Sequence, residues 1–136
     1  MERAGQCMCG AVKFTVTTGD TFSLCHCKMC QRWASGAFMG VPTTAFAVTE
    51  GAACLTEFKS SEWASRAFCS RCGSNIYYMA EDDDGPNIAI GALDDPEGLT
   101  LKNHWFVDKK PAAHDATDGA TTYTQAQIEK MFGDLA

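Results

Sequence analysis

Seven of the eight cysteines in this 136-residue chain fall in three tight groups, and this crowding constrains the fold more than any hydrophobic pattern. The groups are Cys7-Met8-Cys9-Gly10, Cys25-His26-Cys27-Lys28-Met29-Cys30 and Cys69-Ser70-Arg71-Cys72-Gly73. Thiols two or three residues apart suit a shared soft cation better than a framework of bridges between distant loops. The stretch Met1–Gln6 has no apolar core of a targeting signal, and no apolar run is long enough to span a bilayer. The expectation is a cytoplasmic protein without membrane contact, and in that compartment thiols stay reduced, which argues against four structural disulfides.

Ligand assignment is then a matter of counting. A zinc tetrahedron with bonds of about 2.3 Å sets sulfurs roughly 3.8 Å apart, so four side chains must converge tightly. Cys7 and Cys9 with Cys69 and Cys72 make a closed set, a clip across a long loop that stabilises the fold. Cys25, Cys27 and Cys30 remain as a second set, one ligand short and therefore open to water, a thiol or a substrate atom. The opposite pairing, with a stray cysteine completing the three-cysteine group, leaves a thiol redundant and stays open at this point. Cys54 stands alone and reads as a small buried side chain, with a fourth metal ligand or a reactive thiol as the alternatives.

Most of the remaining sequence reads as short strands and turns. Val12, Phe14 and Val16 alternate, and Phe22 and Leu24 continue an alternation into Cys25. Residues 31–37 read as a loop or one helical turn, and Phe38–Val41 and Ala45–Thr49 as strands separated by Pro42. Further strands are expected over Cys54–Lys59, Asn75–Met79, Asn87–Leu93 and His104–Val107, with Glu81–Asp84 as a solvated acidic loop. Residues 111–123 read as an irregular arm. Thr124 and Gln127 form a capping-box pattern before Ile128, Met131, Phe132 and Leu135, which share one face of a helix expected to pack on the sheet or on a neighbouring subunit. The length fits one domain, residues 1–136, with a core over 6–110 and an arm and helix over 111–136.

The string C-x-C-G-x-V-x-F, then C-H-C-x-x-C-x-R, then R-x-F-C-x-x-C-G-S resembles the glutathione-dependent formaldehyde-activating enzyme family, whose domain is shared with centromere protein V. The likeness runs from about Gln6 to Lys110 and includes His104-Trp105-Phe106-Val107; it departs at Ala112-Ala113-His114, where the family commonly has an aromatic residue. The resemblance implies a mainly β, Mss4-like fold of small twisted antiparallel sheets stapled by two zinc ions, with a short C-terminal helix. It implies a structural zinc on Cys7, Cys9, Cys69 and Cys72, and a catalytic zinc on Cys25, Cys27 and Cys30. It further implies carbon–sulfur lyase chemistry joining a small thiol such as glutathione to an aldehyde, with formaldehyde as the precedent.

Elementary electrostatics narrows that chemistry. Three thiolates around Zn²⁺ carry a net charge of −1, so such a metal activates carbonyls poorly and is better suited to holding a substrate thiol as thiolate. Arg32 is the candidate clamp for a substrate carboxylate, with a solvated surface position or a structural ion pair as the equal alternative, and His26, between two ligands, is the candidate general base or hydrogen-bonding neighbour. His104 is a lesser candidate for approach to either metal site, and Trp33, Trp63 and Trp105 read as core or interface residues rather than substrate-stacking ones. A formal charge of −6 excludes an ordinary nucleic-acid surface. The alternative function is a non-catalytic, zinc-stabilised protein-binding module, and the apolar C-terminal helix suggests a homodimer.

Overall fold

The computed structural model describes residues 1–115 and 119–133. Nine strands form a largely antiparallel sheet: β1 (Glu2–Gln6), β2 (Lys13–Thr18), β3 (Thr21–Cys25), β4 (Phe38–Glu50), β5 (Leu55–Ser61), β6 (Ala64–Cys69), β7 (Asn75–Ala80), β8 (Asn87–Ala89) and β9 (Thr100–Trp105). Among the described residues, α1 (Lys28–Ala34) stands between β3 and β4, and α2 (Gln125–Phe132) follows the last strand. Strand order is β1-β2-β4-β8-β7-β6-β5, with β3 paired to β4 and, in parallel, to β9.

The alternation in β2 does what its pattern predicts. Phe14 and Val16 point inward to join Val12, Val41, Ile76 and Ile88, all nearly inaccessible to water. Cys7 and Cys69 belong to this same apolar cluster, so two of the gathered sulfurs are set by core packing.

Several elements differ from the expectation. Strand β4 is one continuous run, because Pro42 stands where β4 leaves its pairing with β8 and takes up β2. A proline is tolerated where a strand changes partners and no ladder donor is needed. Residues 28–34 form the helix α1, capped by Cys27, whose sulfur accepts from the Cys30 N–H at 3.4 Å. Residues 90–92 turn rather than extend β8, and the last strand runs over 100–105, ending at Phe106 with φ of 56°. Strand β1 carries no apolar signal; it is held by the buried Arg3, which donates to Thr18 Oγ1 and to the carbonyls of Asp95 and Glu97.

The capping box of α2 is present, with Thr124 and Gln127 bonded reciprocally. The helix does not pack on the sheet: Met131 and Phe132 are exposed, and Leu135 lies outside the described residues. Trp63 and Trp105 are exposed and Trp33 half-buried, so none of the three is a core residue. No helix among the described residues is long and apolar enough to cross a membrane.

One glycine ties β4 to the first cysteine loop. Gly51 has φ of +75°, and a Cβ there would collide with the carbonyl of Ala11. Gly51→Ala is expected to cost about 3 kcal/mol from backbone strain and overpacking. A lowered urea midpoint at unchanged slope is the readout.

Candidate metal centres

The first centre forms where two turns meet. Gly10 and Gly73 both adopt the left-handed conformation, with φ of 77° at each, and this curls the cysteine turns toward one another. The sulfurs of Cys7, Cys9, Cys69 and Cys72 lie within 4.8 Å of one another. Cys7 and Cys9 are 3.6 Å apart and Cys9 and Cys69 3.9 Å, the spacing of sulfurs on a tetrahedral zinc. The Val12 N–H donates to Cys7 Sγ at 3.3 Å. Ser74 accepts from the Met8 N–H at 2.8 Å and lies 3.2 Å from Cys72 Sγ, so one hydroxyl joins the two turns. Hydrogen bonding from Ser74 is the main cause that holds the Cys72 thiol down to about 5. Ser74→Ala is expected to weaken zinc at this centre about tenfold or more, as loss of a group that orients a ligand does. Competition with a chromophoric chelator measures it.

The second centre stands at the end of β3. Cys25, Cys27 and Cys30 also bring their sulfurs within 4.8 Å of one another. The ribbon carrying them is held by the late part of the chain: the His26 N–H donates to the Trp105 carbonyl at 2.9 Å. Gln31 Nε2 donates to the carbonyls of both His26 and Lys109, at 2.8 and 2.9 Å. Cys25 is held below its ordinary range chiefly by a hydrogen bond from Cys30, and Cys30 is raised by giving it and by burial. Cys54 joins neither group. It ends a short turn, half-buried against the core, and its carbonyl accepts from the Ser70 N–H.

Arg66 of β6 is the neighbour that the motif contains but spacing alone does not single out. Its guanidinium is buried, and Nη1 donates to Cys30 Sγ at 3.5 Å. It lies over the rings of Trp33, at 4.9 Å, and Tyr78, at 5.0 Å. The visible signal was a cation in an otherwise apolar or small run, Ala64-Ser65-Arg66-Ala67-Phe68. Arg32, by contrast, is exposed on the last turn of α1 and makes no ion pair among the described residues.

His26 is buried and its Nε2 lies 3.0 Å from His104 Nδ1, with the two rings stacked. Burial, then the neighbouring His104 and Lys110, push His26 below its ordinary range, so it is held neutral. Its Nδ1 is buried without a hydrogen-bond partner. Both rings line an open cleft of about 750 Å³, whose lining also includes Lys110, Ala113, His114 and Asp115. Lys110 and Asp115 pair at 2.5 Å within that lining.

A largely antiparallel domain that gathers four sulfurs at one point and three at another defines a cysteine-rich protein whose two clusters could hold metal ions and are compatible with zinc. The chain belongs to the glutathione-dependent formaldehyde-activating enzyme family, whose sequence model matches residues 2–109. It is 26% identical over 131 residues to an uncharacterized lyase of Schizosaccharomyces pombe, covering 95% of this chain and 96% of the relative. A crystal structure of a Rhodobacter sphaeroides protein superposes with a TM-score of 0.57 at 23% identity, over 75% of this chain and 98% of that one, a likeness of fold.

Proposed function

We propose that the protein is a zinc-dependent carbon–sulfur lyase-type enzyme acting on adducts of a small, glutathione-like thiol with an aldehyde such as formaldehyde. Family membership and the relative named as a lyase support a glutathione-related, lyase-like function at the level of the family. The observation that carries the finer reading is the incomplete second centre: three sulfurs converge, and Cys54 stays with the core instead of joining them. Zinc held by Cys25, Cys27 and Cys30 supplies a place where a fourth thiol is kept deprotonated.

The chain's own groups then have defined tasks. The substrate thiol gives up its proton, and its sulfur bonds to the aldehyde carbon while the carbonyl oxygen takes up a proton; the reverse reaction breaks the same bond. His26, neutral and bonded to His104, is the group proposed to relay that proton. Arg32, exposed beside the centre in sequence, is proposed to hold a carboxylate of the thiol substrate.

The test is exchange between glutathione, formaldehyde and their thiohemiacetal, followed by NMR with zinc-loaded protein. A rate proportional to protein and above that of buffer with equimolar free zinc is expected. No such rate, across glutathione and other small thiols, overturns the enzyme reading. One observation favours a second reading, a non-catalytic zinc-stabilised protein-binding module: Trp105, Phe106 and Val107 form an exposed apolar run that begins at Trp105, the pairing partner of Cys25.

A further inference from the structure

We infer that Arg66 is a positioning residue that balances the charge of the three-sulfur centre and thereby lets it accept a fourth, anionic sulfur. The second half of this inference rests on the proposed thiol chemistry. The first half does not.

A guanidinium stays charged in any protein environment, and burying it without an anion is costly. Arg66 is 6% exposed, and no carboxylate pairs with it among the described residues. Among the described residues its partners are the Cys30 sulfur and two aromatic faces, and Nε has no hydrogen-bond partner there. The rings of Trp33 and Tyr78 fix the plane of the guanidinium and shield it from water, but they carry no charge. The compensating anion is therefore the sulfur cluster.

The arithmetic decides what this does. Zn²⁺ with three thiolates sums to −1, and with Arg66 to zero; a fourth thiolate brings the assembly to −1. Without Arg66 the same step goes from −1 to −2 in a partly buried site, where like charge is repelled more strongly than in water. Arg66 also meets the most deeply buried of the three sulfurs: Cys30 is buried, whereas Cys25 and Cys27 are half-buried. A cation held against Cys30 would offset the charge of an added sulfur without itself serving as a ligand.

The experiment loads the full-length protein with Co²⁺, whose sulfur charge-transfer bands report each thiolate bound, and uses Cys27→Ser protein as the blank for the four-sulfur centre. Metal affinity is read by chelator competition and glutathione affinity from the change in the bands. Arg66→Met is expected to weaken both about tenfold or more, and Arg66→Lys, which keeps the charge, to hold glutathione within about threefold of the unmodified protein. A folded Arg66→Met protein with both constants within twofold of the unmodified protein overturns the inference. Should Arg66→Met fail to fold, Arg66→Lys decides alone, and a tenfold loss of glutathione affinity there overturns charge compensation. If glutathione leaves the bands of the unmodified protein unchanged, the thiol reading fails, while the metal affinities of the Arg66 variants still decide the positioning role.

Discussion

Cys69→Ser is expected to lower the melting temperature of the zinc-loaded protein by about 15 °C or more, corresponding to a loss of roughly 5 kcal/mol. Cys69 is fully buried and belongs at once to the apolar core and to the four-sulfur centre. The hydroxyl is a weaker zinc ligand than thiolate, and in the core it places a polar group where a large polarizable atom packed. The centre also joins cysteines sixty residues apart, Cys9 and Cys69, so losing it frees a long loop of the unfolded chain from its constraint. Since whole domains are stable by only about 5–15 kcal/mol, the loss takes much of the margin. Thermal melts with and without added zinc measure it. A fall under about 5 °C would show that the apolar cluster holds this region without the metal.

Cys27→Ser is expected to do the reverse: keep the fold and remove the chemistry. Serine is a good helix cap, so it keeps the bond that Cys27 makes to the Cys30 N–H at the start of α1. Cys27 is half-buried and outside the core cluster, so the melting temperature should stay within about 5 °C. The three-sulfur set, however, falls to two. Zinc stoichiometry should drop from two to one, and thiohemiacetal exchange by more than about a hundredfold, beyond what loss of a mere neighbour of a ligand causes. Elemental analysis and the NMR exchange assay check the two parts separately. Unchanged exchange with a single zinc bound would remove the second centre from the reaction.

Cysteine spacing made both clusters legible, because a local C-x-C or C-x-x-C turn already restricts where its sulfurs can point. The mutual approach of the first and third groups followed from ligand counting, and the sheet carries it out by setting Cys7 and Cys69 in one core. Arg66 was not legible as a neighbour of Cys30, because the contact joins residues 36 positions apart through pairings that no local pattern encodes. The same holds for His26 and His104, brought together by the parallel register of β3 and β9. Pro42 misled for a different reason. Its local preference signals a strand break, whereas here the strand changes partners at that point and the missing donor costs little.

The parallel pairing of β3 with β9 has a consequence for the order in which the molecule is assembled. Parallel strands cannot be joined by a tight turn, and contacts between distant residues form slowly because their loop must close first. A chain emerging from the ribosome has all four cysteines of the first cluster once Cys72 has appeared. The ribbon bearing Cys25, Cys27 and Cys30 still lacks Trp105 and Lys109, the latter 78 residues beyond the Gln31 that grips it. The contacts that hold the three-sulfur ribbon can therefore be completed only after the four-sulfur cluster has all its cysteines, so the chain's order of synthesis favours the first cluster over the second.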